Sequence, residues 1–155
     1  MDEAQPDNGQ KARRVIVAGY GPVGRVVADG LVKAGLKLTV VEMNPRTCDR
    51  NDCADRPFIR GDVRDSAVLE QAGIATADAL VLAIPDQQVV VEAVAAARRL
   101  SPRIFIAART NHVSFGMQAR AAGADHVVVE EIVTAEAMDR AVVQRLIGSG
   151  GRETH

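Results

Sequence analysis

The 155-residue chain has no tryptophan, one tyrosine and three phenylalanines, so aromatic residues make up only 3% of it. A protein that holds single-stranded nucleic acid by stacking bases on aromatic faces needs more of them. A basic excess is also missing: 19 Lys and Arg against 20 Asp and Glu leave a formal net charge of −1. That is not the electrostatic footprint of a nucleic-acid binder, and no nucleic-acid partner is expected. No apolar run approaches the roughly 20 residues needed to cross a bilayer, and the opening MDEAQPDNGQKARR lacks the apolar core of a signal peptide. The chain therefore reads as cytoplasmic. Cysteine is scarce; Cys48 and Cys53 sit five apart in a polar segment and read as reduced thiols. His112, His126 and His155 are scattered without the paired spacing of a zinc site, so no metal is expected.

What the chain does have is glycine in a particular place. Residues 14–42, RVIVAGYGPVGRVVADGLVKAGLKLTVVE, read as a strand, a tight glycine turn, a helix and a second strand that ends on an acid. Gly19 lets the backbone leave the strand in a conformation that a Cβ would forbid, Gly21 removes bulk where a diphosphate would approach, and Gly24 lets helix and strand pack closely. Pro22 suits the first helical position because its missing N–H would have been unpaired there, and the helix end turns its free donors and positive dipole toward an anion. Tyr20 and Val23 complete the turn. Glu42, eighteen residues past Gly24, is placed to accept hydrogen bonds from ribose hydroxyls. Its carboxylate repels a 2′-phosphate, which favours an adenosine nucleotide or NAD(H) and makes NADP unlikely, although Arg46 four residues on softens that exclusion.

Beyond this unit strand and helix signals keep alternating. Strands are expected at 14–18, 37–42, 57–60, 79–83, 103–107 and 126–129, and helices at 22–34, 45–51, 65–72, 86–100, 112–122 and about 133–147. Regular alternation predicts a Rossmann-like doubly wound α/β fold, a parallel sheet of about six strands with helices on both faces. Residues 1–12 read as a flexible leader or linker, 13–147 as one domain and 148–155 as a tail. The last helix carries Ile132, Ala135, Met138, Val142, Val143 and Leu146 on overlapping apolar faces, which would pack on its own sheet or on a neighbour's.

In such sheets ligands bind beyond the carboxyl ends of the strands. Those ends supply Gly19 to Gly24, then Glu42, Met43 and Asn44, then Asp62 and Val63, then Ala83, Ile84 and Pro85, and finally Arg109. Asp62 either reads the amino edge of an adenine, a donor that needs an acceptor, or merely caps its turn. Arg109 either neutralises phosphate or pairs with an acid across a subunit contact.

Taken together, VIVAGYGPVGRVVADGL, the acid of VVEMNP, GDVRD, ADALVLAIPD, the arginine of IAART and RAAGADHVVVEE resemble the KTN/RCK N-terminal (TrkA-N) domain over about residues 14–131. The closest flavour is the cytosolic domains of KefB/KefC-like potassium:proton antiporters. The resemblance implies a regulatory nucleotide-binding module that assembles as dimers or larger rings and gates a membrane cation transporter. It places the phosphate turn on Gly19, Gly21 and Gly24, the ribose acid on Glu42, the adenine contact on Asp62 and Val63, and the strand-five arginine on Arg109. Many members carry arginine after the second glycine where this chain has Pro22, so AMP or NAD(H) is expected, with ADP and ATP less favoured. A small NAD-dependent oxidoreductase, or its cofactor-binding fragment, is the alternative. That reading needs a substrate-holding region for which the chain has no room, and its conceivable acid/base groups are only His112 and Tyr20.

Overall fold

The computed structural model describes residues 12–148, so the expected leader and tail fall almost wholly outside the described residues. Twelve elements follow in strict alternation: β1 (Arg14–Ala18), α1 (Pro22–Lys33), β2 (Lys37–Glu42), α2 (Pro45–Asn51), β3 (Phe58–Arg60), α3 (Ser66–Gln71), β4 (Ala79–Leu82), α4 (Gln87–Leu100), β5 (Phe105–Thr110), α5 (Val113–Ala122), β6 (His126–Val129) and α6 (Glu130–Leu146). The six strands form one parallel sheet in the order β3-β2-β1-β4-β5-β6. The strand order reverses between β1 and β4, which opens a crevice at their carboxyl ends.

Alternation along each strand sends side chains to opposite faces. Val15, Val17, Leu38 and Val40 join Tyr20 and Ala28 in a core under α1. Ile16, Ala18, Leu80, Leu82, Ile106 and Ala108 meet Leu69, Val90, Val94 and Ala119 in a larger core beneath α3, α4 and α5. Burial on both faces explains why β1 reads as an unbroken apolar run, whereas β4 is buried on one face and half-buried on the other.

Two expectations are corrected. The fifth strand runs Phe105–Thr110 rather than 103–107, because its register is fixed by pairing Ala79 with Phe105 and Leu82 with Ala108, after a turn through Pro102 and Arg103. Arg109 therefore lies within the strand, not beyond it. The last helix starts directly at Glu130, three residues early, because its first two carboxylates are tied to Arg109 and His112 on the neighbouring strand and loop.

That helix buries none of its residues. Ile132, Val133, Met138, Val142, Val143 and Leu146 are all exposed. Beside its root, the α1 face of the sheet is left uncovered over β4, β5 and β6, where Val81, Ala107 and Val128 border an apolar groove with Val23 and Val27 of α1. The chain does not fill this groove with its own last helix.

Candidate functional site

The first turn after β1 is built on steric necessity. Gly19 has φ +91°, and a Cβ there would come within 3.1 Å of the Ala83 carbonyl carbon and of Ile84 Cγ1. Gly24 is tighter still: a Cβ on it would lie 1.9 Å from the Gly19 carbonyl oxygen. The start of α1 thus rests directly on the turn, with Ala83 beneath both. Gly21 has nothing within 4 Å of its would-be Cβ. Gly21 is exposed and is among the residues that line the crevice at this turn.

Helix α1 begins with Gly21 as its cap and Pro22 in its first turn, and no side chain caps it. By contrast α2, α3 and α4 are capped by the side chains of Asn44, Asp65 and Asp86. The N–H groups of the α1 start are left for another acceptor, and the helix dipole makes an anion the favoured one.

Glu42 closes the turn from β2. Its Oε2 accepts from the Tyr20 N–H at 2.8 Å and its Oε1 from the Asn44 N–H at 3.1 Å. Each oxygen keeps a free lone pair, so a vicinal diol can be accepted without breaking either bond. Asn44 is itself spent on α2, accepting from the Arg46 N–H at 3.0 Å, while Met43 beside it is 61% exposed at the crevice rim.

Tyr20 does not present its ring to the crevice. The ring is buried in the α1 core, edge-on to Phe58 at 4.9 Å, and Arg25 lies over it at 5.2 Å from the ring centre. Its hydroxyl accepts from Arg56 Nη1 at 2.8 Å, and the same guanidinium pairs with Asp29 and Asp55. Tyr20 is a peg that fixes the glycine turn: the backbone serves the site and the side chain anchors it. Arg56 and Arg25 are contributors that sequence reasoning did not find, since nothing in their spacing points to an aromatic ring buried inside a glycine turn.

The far wall comes from β3 and β4. Val63 is buried, and Ile84 and Pro85 complete the lining opposite Gly19, Gly21 and Glu42 around a crevice of about 490 Å³. Asp62 lies on this wall but is engaged: Arg64 donates to it from its backbone N–H at 2.9 Å, from Nε at 3.1 Å to both oxygens and from Nη2 at 2.7 Å. The Arg64 guanidinium holds the Asp62 carboxyl below the usual carboxylate range. Arg64 also reaches Glu92 on α4 at 3.0 Å.

Arg109 stands apart. It pairs with Glu130 and donates from Nη1 to the Ala83 carbonyl at 3.1 Å, so it faces the apolar groove between α1 and α6 with Ala83 and Val23 rather than the crevice. The loops around the two are connected, however. Gln87, next to Asp86 on the crevice wall, accepts from the N–H groups of both Asn111 and His112 at 2.9 Å, and His112 pairs with Glu131 at the root of α6.

The family model of the TrkA-N domain matches residues 15–130. The chain is 33% identical over 125 residues to the glutathione-regulated potassium-efflux system protein KefC of Klebsiella pneumoniae; the match takes in 81% of this chain and 19% of that protein. Among solved structures it superposes on the TrkA-N domain of the Escherichia coli inner membrane protein ybaL with a TM-score of 0.81, at 26% identity over 85% of this chain and 98% of that one. It superposes on the Shewanella denitrificans Kef C-terminal domain in its AMP-bound form with a TM-score of 0.75, at 28% identity over 88% and 83% of the two chains. The chain thus spans about a fifth of the length of its curated relative, and nearly all of the ybaL domain. Sheet order, glycine turn, strand-two acid and family match agree: this chain belongs to the TrkA-N domain family.

Proposed function

We propose that this chain is a non-catalytic regulatory domain that binds AMP or NAD(H) in the crevice and, through that binding, gates a membrane potassium or other cation transporter. The observation that carries the reading is the conjunction at the turn: an uncapped α1 start, a Gly21 face open to the crevice, and a Glu42 carboxylate with lone pairs to spare. A phosphate on the helix end and a ribose on Glu42 use each of these. AMP in a similar Kef domain supports the adenine nucleotide. ADP and ATP are less favoured because Pro22 offers no cation to a terminal phosphate.

Gating requires a nucleotide to bind one arrangement of subunits better than another. The exposed apolar face of α6, next to an apolar groove of about 440 Å³ that this helix leaves open, supports assembly as a homodimer or higher oligomer. Among the described residues no helix is long and apolar enough to cross a membrane, so the pore belongs to a separate subunit or to another part of the same protein.

Calorimetric titration with AMP, ADP, ATP, NAD⁺, NADH and NADP⁺ tests the reading, with Gly21→Asp and Glu42→Ala alongside. AMP or NAD(H) binding at micromolar concentration, abolished by the first substitution and weakened by the second, is expected. If no adenine nucleotide binds below millimolar concentration, the crevice is not a nucleotide sensor.

A further inference from the structure

The base end of the crevice is governed by a residue two positions past the expected adenine reader. A carboxylate offers about four lone-pair sites, and three N–H groups of a single residue, one of them shared between both oxygens, take up most of those of Asp62. Oδ1 accepts from the Arg64 backbone N–H and Nε, and Oδ2 accepts from Nε and Nη2. Arg64 is then tied to Glu92 Oε2 on α4, while Glu92 is steadied from its own helix by Gln88 Nε2 at 3.0 Å. Of the five guanidinium N–H groups, Nε–H and one Nη2–H go to Asp62 and one Nη1–H goes to Glu92, which leaves one on each terminal nitrogen.

The preference for a donor that the carboxylate alone suggests is therefore blunted at this wall. A 6-amino group brings donors and meets an acid whose two oxygens are already both engaged by Arg64. A 6-oxo purine brings an acceptor at O6 that the two N–H groups left on Arg64 can meet, and N7 is common to both bases, so neither has a clear advantage.

We propose that Arg64 sets the base preference of the crevice: by holding Asp62 it withholds the carboxylate from an adenine amine, so that adenine and hypoxanthine nucleotides are scarcely distinguished and affinity comes from the phosphate turn and Glu42. This rests on the reading of the crevice as a nucleotide site. It makes Arg64 a specificity-determining residue that acts partly through Asp62.

The test is calorimetric titration of the whole chain with AMP and IMP, which differ only at the purine 6-position and its ring proton. Wild type is expected to bind the two within about threefold of each other. Arg64→Ala frees Asp62 and shifts the ratio toward AMP by at least about tenfold, roughly 1.4 kcal/mol, as a hydrogen bond to a charged acceptor warrants. Adding Asp62→Ala to that variant returns the ratio to the wild-type value. Glu92→Gln, a change on an exposed helix face, loosens the tie to Arg64 and shifts the ratio in the same direction by less, so a poorly folding Arg64 variant does not decide the matter. A wild-type preference for AMP of tenfold or more that Arg64→Ala leaves unchanged or reduces overturns the role of Arg64 while the nucleotide site stands. Binding of neither nucleotide by any variant overturns the site itself.

Discussion

Alanine at Gly24 and alanine at Gly21 separate the two duties of the glycine turn, scaffold and seat. At Gly24 the added methyl would lie 1.9 Å from the Gly19 carbonyl oxygen and 2.8 Å from its carbon, against an ordinary Cβ contact of 3.4–4 Å. Relief needs α1 to withdraw by about 1.5 Å, and α1 cannot do that cheaply, because Ala28 on its inner face is fully buried against β1 and β2. Overpacking against backbone costs about 3 kcal/mol or more, which in a chain of this length lowers Tm by roughly 6–12 °C. Gly21 has no neighbour within 4 Å and φ −77°, which any residue adopts. Alanine there costs less than about 1 kcal/mol as a poorer helix cap, yet its methyl would enter the proposed phosphate seat. The assay is thermal unfolding paired with AMP titration. Gly24→Ala should lose stability and binding together, whereas Gly21→Ala should melt within about 4 °C of wild type and bind AMP at least about tenfold more weakly. A Gly24→Ala protein that melts with wild type, or a Gly21→Ala protein that is destabilised as much as Gly24→Ala, refutes the division.

Asp125 accepts from the Ile106 N–H at 2.8 Å and pairs with Arg98, and the first of these in particular holds its carboxyl below the usual range. Its contribution is complete above the unfolded value near ~3.9 and is lost as pH falls through the lower folded value. Asp125→Asn should therefore be less stable than wild type at pH 7 in urea melts, with the gap closing toward pH 2; a gap that widens in acid contradicts the assignment. Because α6 is exposed along its length, Met138→Asp with Val142→Asp should leave Tm of the domain within a few degrees while abolishing self-association in light scattering. Loss of the fold instead would mean that the helix packs on its own sheet. Cys53 is exposed and Cys48 is buried, with burial as the main cause that pushes the Cys48 thiol up, so a thiol reagent should titrate one group quickly and the second only on unfolding. Two fast equivalents would contradict the packing of α2.

The parts of the site that were legible in the sequence are those that depend on local chemistry. The turn of Gly19, Gly21 and Gly24 is such a part, because a forbidden φ and a missing Cβ are properties of residue type. Glu42 could be found because a fixed length of helix and strand separates it from the turn. Tyr20 shows where that reading stops. Its position in the turn predicts a crevice-lining ring, but the ring turns inward because Phe58, Arg25 and Arg56, up to 38 residues distant in the chain, offer it an edge, a cation and a donor.

By itself the sequence determined the alternating α/β order, the parallel sheet and the glycine turn, since periodicity, glycine placement and strand-end acids are written locally. Only the tertiary structure decided that β5 is shifted to enclose Arg109, that Arg109 faces the groove with Glu130, that α6 leaves its own sheet bare, and that Arg64 occupies Asp62. Each of those depends on which distant charges and strand registers meet, and a guanidinium on a flexible stem is claimed by whichever carboxylate the fold brings within reach.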